Sequence, residues 1–75
     1  MKINLTNTGA ETVSMLRGRA TNLEPMYGRN TFDRVAIENS HIPASVILYA
    51  IGNPSDDDLI DMCKQGYATR WHPNA

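Results

Sequence analysis

The run Gly52-Asn53-Pro54-Ser55-Asp56-Asp57-Asp58 divides the chain more sharply than any other stretch. Asn53-Pro54 stops whatever precedes it, because the proline ring removes a backbone donor and pushes the residue before it into extended conformation. Ser55 is a strong helix N-cap, and the three aspartates that follow occupy the end of a helix where the backbone dipole is positive. The pattern predicts a helix from about Asp56 to Gln65, ended by Gly66, that buries Leu59, Met62 and part of Cys63.

Upstream of that break, Pro43 to Gly52 has an apolar centre whose β-branched residues suit a buried helix or a buried strand. Proline at the start and glycine just past the end favour the helix. Thr8-Gly9-Ala10-Glu11 has capping-box spacing and predicts a helix from about Gly9 to Arg19, with Ala10, Val13, Leu16 and Ala20 on one stripe and Gly18 weakening its last turn. Thr21 to Asn30, holding Asn22, Pro25 and Gly28, reads as the longest irregular connection. Asn30 or Thr31 caps a further helix to about Asn39, with Phe32, Val35 and Ala36 on its inner face. Lys2 to Thr6 alternates in polarity and suits a short strand or arm, and the tail from Tyr67 to Pro73 suits an extended segment across the core.

A chain of 75 residues, 41% of them apolar, supports one thin core. Its single cysteine, Cys63, makes no internal disulfide, so the expected reinforcement is self-association or a bound partner. The longest apolar run, Val46 to Ile51, is far short of the roughly 18 residues of a membrane span. With no secretory-type leader after Met1 and one lone thiol, the expectation is a soluble cytoplasmic protein without a membrane partner. Residues 1 to 34 carry five basic groups against three acidic ones, a balance of +2, and residues 35 to 75 carry two against five, a balance of −3. Such asymmetry steers a charged partner to one face.

The acidic run and Asp61 lack the alternating ligands, central glycine and final glutamate of a calcium loop, and their place at a helix start explains them without a cation. Cys63, His41 and His72 are too scattered for zinc, and no third group accompanies a Cys-His pair as a nucleophile would require. The five glycines are spread singly, so no phosphate loop or dinucleotide fingerprint is present. Neither catalytic, metal nor cofactor residues are expected, and the chain is read as a non-enzyme. Tyr67 and Trp71, with Arg70 between them, suit an aromatic and cationic anchor for a protein partner, although a lone Trp also suits the closing of a small core.

Val35 to Ile51 resembles a helix-turn-helix of the phage-repressor type. Ala36 matches the small residue of the first helix, Ile42 the apolar residue after the turn, and Ile47 and Ala50 the inward positions of the second helix. His41 departs from the glycine usual at the turn, and the second helix brings only Ser45 and the Tyr49 hydroxyl to read bases.

The sequence therefore predicts a mainly α fold, a compact bundle of three to four short helices with an N-terminal extended arm, in a single domain over residues 1 to 75. The alternative is a small α+β fold with Val46-Ile51 as a strand. The function expected is non-enzymatic regulation by protein-protein contact, an inhibitor or adaptor comparable in size and composition to phage and mobile-element accessory proteins. A helix-turn-helix DNA-binding regulator ranks second. The partner-binding residues expected are Asp56, Asp57, Asp58, Asp61, Tyr67, Arg70 and Trp71, facing a protein with a basic surface.

Overall fold

A computed structural model describes residues 1–71 and places them in a mainly helical fold with one small antiparallel sheet. Strand β1 is Ile3–Leu5, and helix α1 runs Asn7–Tyr27. A single 3₁₀ turn, Gly28–Asn30, leads to α2, Thr31–Glu38. Helix α3 is Ala44–Ile51, α4 is Asp56–Lys64, and strand β2 is Ala68–Arg70. No helix among the described residues is long and apolar enough to cross a membrane.

The core draws on every element except the 3₁₀ turn and β1. Leu16 of α1, Val35 of α2, Val46 of α3 and Met62 of α4 are fully buried, and Val13, Leu23, Ile42, Ile47, Ala50 and Ala68 complete the cluster. The apolar run at residues 46–51 is therefore helical filling. A strand there would leave alternate side chains on a second face with nothing to cover it, and the strand alternative is not adopted.

Two expectations at α1 are corrected. The helix begins earlier, at Asn7, because Thr6, held extended at the end of β1, caps it: the Thr6 Oγ1 accepts from the Gly9 N–H at 3.1 Å. It also ends much later, so the connection expected at residues 21–30 is mostly helix. Leu23 carries the Val13, Leu16 and Ala20 stripe one turn further and is buried against the core. Pro25 is exposed and lies inside the helix near its C-terminal end, at the cost of the backbone bond its missing N–H would make to the Thr21 carbonyl. The result, among the described residues, is one long α-helix and three short ones.

The other elements follow their local signals. Asn30 precedes α2 without a side-chain cap bond, while the Thr31 Oγ1 donates to the Gly28 carbonyl at 2.6 Å. Ser55 and Asp58 form a reciprocal capping box on α4. Gly66, at φ +84°, supplies the left-handed residue that ends α4 and turns the chain into β2.

The strands pair in the register Ile3 with Arg70, Asn4 with Thr69 and Leu5 with Ala68. The ladder extends beyond both ends. Trp71 N–H donates to the Lys2 carbonyl at 3.2 Å, and Thr6 N–H donates to the Tyr67 carbonyl at 3.1 Å. The Thr6 hydroxyl also donates to the Gly66 carbonyl at 2.9 Å, which ties the start of α1 to the end of α4.

Candidate protein-docking surface

The end of this ladder builds an open groove of about 460 Å³. Its floor and walls include Ile3 from β1, Tyr49 from α3, Pro54 from the α3–α4 link, Leu59 from α4, and Lys2 and Trp71 from the paired chain segments. Trp71 is held there by its backbone bond to Lys2, and the Lys2 ammonium lies 4.8 Å from the centre of the indole ring. The indole remains 42% exposed. Such a surface combines apolar area, a backbone-anchored aromatic and a cation.

The four aspartates divide into two pairs. Asp58 belongs to the capping box, accepting from the Ser55 N–H at 2.8 Å and the Ser55 hydroxyl at 2.9 Å. Asp61 accepts the hydroxyl proton of buried Ser45 at 2.7 Å, joining α4 to α3. Asp56 and Asp57 stay exposed at the helix start. Asp56 lies 3.5 Å from the amino group of Met1, itself a groove residue, so the free end of the acidic run borders the groove.

Of the C-terminal trio, Trp71 lines the groove and Arg70 is exposed on β2 opposite Ile3. Tyr67 is half-buried against the core. Lys2, Tyr49, Pro54 and Leu59 were not singled out by sequence reasoning as partner contacts. Their proximity depends on pairing the two strands, a long-range event that leaves no local signature.

The helix-turn-helix outline is present as α2, the turn at residues 39–43 and α3, with Ile42, Ile47 and Ala50 buried as the resemblance implies. His41 is exposed and no non-glycine residue among those described has positive φ, so the turn is closed differently: buried Asn39 donates from Nδ2 to the Val35 carbonyl at 2.9 Å. Helix α3 lies inward. Ser45 is committed to Asp61, and Tyr49 is half-buried with the Arg17 guanidinium 6.0 Å from its ring centre. No cation or amide on α3 is offered to base edges.

A second charged cluster joins α1 to α2. Arg19 donates from Nη2 to Glu38 Oε2 at 3.0 Å. Arg34 Nε lies 3.3 Å from Glu38 Oε1, outside hydrogen-bond alignment, while its guanidinium stacks 5.3 Å from the Tyr27 ring centre. Arg17 Nε donates to the Ala50 carbonyl at 3.0 Å and so satisfies a carbonyl in the last turn of α3. Among the described residues, no three His, Cys, Asp or Glu side chains gather as a metal site. Cys63 is half-buried in α4, and His72 lies outside the described residues.

No protein-family profile matches the chain, and no curated protein or solved structure matches it.

Proposed function

We propose that this chain is a non-enzymatic binding protein, an inhibitor or adaptor that occupies a protein partner's surface through the groove beside Trp71. The observation that carries the reading is the exposed indole, fixed by the ladder beside Lys2 and bordered by Asp56. An aromatic already held in place loses little conformational freedom on contact, which is why such residues dominate binding energy. Asp57, exposed at the helix start, and Asp56, beside the Met1 amino group, provide the charge that attracts basic side chains at the rim. The partner segment that fits is apolar with flanking Lys or Arg.

The test is a selection from a random peptide library on the immobilised protein. The wild type should enrich peptides that join apolar residues to Lys or Arg, with binding weakened by salt. Trp71→Ala should lose them, and Asp56→Asn with Asp57→Asn should lose the basic preference. Equal recovery of the same peptides by Trp71→Ala, or enrichment without basic residues, would overturn the reading.

A further inference from the structure

Strand β1 turns one row of backbone groups away from its partner. In the continued register Lys2 faces Trp71 and Thr6 faces Tyr67, and both pairs are hydrogen-bonded, with the Trp71 N–H donating to the Lys2 carbonyl and the Thr6 N–H to the Tyr67 carbonyl. Bonded and unbonded pairs alternate along an antiparallel ladder. Asn4 therefore joins Lys2 and Thr6 in facing β2, while Ile3 and Leu5 direct their N–H and C=O groups to the opposite side. Among the described residues no third strand or other backbone takes those groups.

The groove lies on that side. Strand β2 packs on α4 and its segment sends only Trp71 into the groove, whereas the β1 segment contributes Met1, Lys2, Ile3 and Asn4. Lys2 and Asn4 share one face of the strand and Ile3 lies on the other, so a cavity bordered by all three runs along the strand's edge. The side chains of Ile3 and Leu5 pack against the core, which holds this edge extended before anything binds. Tyr49, Pro54 and Leu59 complete the apolar lining, and Asp56 marks the end beside Met1.

The backbone groups decide what can cover the groove. A helix satisfies its own N–H and C=O groups, so a helical partner lying here would cut the Ile3 groups off from water without replacing their hydrogen bonds. An extended segment replaces them. We infer that the groove takes its partner as a third strand, hydrogen-bonded to Ile3 and Leu5 along the free edge of β1. Alternate side chains of that segment then enter the groove and those between them face solvent, so the recognised pattern is apolar residues two apart, with Lys or Arg at the end near Asp56. The pairing rests on the groove being the contact surface proposed above, and it adds the conformation and the spacing of what enters.

Peptides selected on the immobilised protein supply the probe. Methylating each backbone nitrogen of one such peptide in turn removes a donor and leaves every side chain in place. Affinity for the wild-type protein, read by fluorescence anisotropy, should fall about tenfold or more at alternate positions and change little at those between. Hydrogen exchange followed by NMR should slow about tenfold or more at the Ile3 and Leu5 amides of the bound protein, while the Asn4 amide, already in the ladder, changes little. Trp71-dependent binding that tolerates methylation at every position and leaves Ile3 exchange unchanged would overturn the third strand and leave the groove reading standing. Selected peptides whose apolar residues recur at three and four would do the same. Protection of Ile3 and Leu5 in the free protein that rises with its concentration would give the edge to a second copy and overturn the peptide strand. Recovery of no Trp71-dependent peptide would overturn the groove reading and the pairing together.

Discussion

Gly9, in the first turn of α1, packs so closely on the Tyr67 carbonyl that a Cβ at position 9 would overlap the carbonyl oxygen. The contact lies in the clasp where Thr6 takes both the Gly66 and Tyr67 carbonyls, and where the chain's first and last elements meet. Small side-chain volume at that point is a condition for closing the fold.

Gly9→Ala and Gly18→Ala should consequently move stability in opposite directions. Helix propensity alone favours alanine at both sites by about 1 kcal/mol. At Gly18 that gain should appear, since the added methyl enters open space. At Gly9 the backbone clash should outweigh it, for a net loss of about 2 kcal/mol or more. Urea denaturation of the two variants checks this, and a stabilised Gly9→Ala would contradict the described packing.

The Ser45 hydroxyl and the Asp61 carboxylate should be energetically coupled. Ser45 is 4% exposed and its hydrogen bond spans two helices, so a double-mutant cycle with Ser45→Ala and Asp61→Ala should give an interaction of about 1 to 2 kcal/mol. Additive effects would mean that the hydroxyl is satisfied elsewhere.

Adjacent aspartates should behave differently despite equal charge. Ser55→Ala and Asp58→Ala each break the capping box and should cost about 1 kcal/mol by thermal denaturation. Asp57→Ala should stay within about 0.5 kcal/mol, because Asp57 makes no side-chain bond among the described residues and the helix dipole is what favours it. A large Asp57 effect on folding would place this residue in the scaffold and remove it from the proposed binding rim.

Salt should separate two arginine contacts. Glu38→Gln breaks charge pairing with Arg19 and Arg34 on a partly exposed surface, so its cost should be below about 1 kcal/mol and fade as salt approaches about 1 M. Arg17→Met removes a donor to the neutral Ala50 carbonyl, and its cost of about 1 kcal/mol should persist in salt. Denaturation curves at low and high ionic strength distinguish the two.

Legibility in the sequence followed the range of the interactions. The α4 boundary was readable because Pro54, Ser55 and Asp58 act within a few residues of one another, and α3 because Pro43 and Gly52 bracket an apolar run. The end of α1 was misread because Asn22 and Pro25 are local loop signals, while burial of Leu23 against the core is tertiary and overrides them. The Leu23 and Tyr27 spacing continued the helical period and was the available clue. Within the proposed docking surface, Trp71 and the acidic run were visible as types. Their meeting with Lys2 and Tyr49 was not, because it needs β1 and β2 to pair across almost the whole chain.

That ladder also sets a timetable. A growing polypeptide leaving the ribosome can assemble the helices as they emerge, yet Trp71 has no Lys2 carbonyl to dock on until the final strand is released. If the groove is the contact surface proposed above, products that stop short of β2 lack it and should not bind.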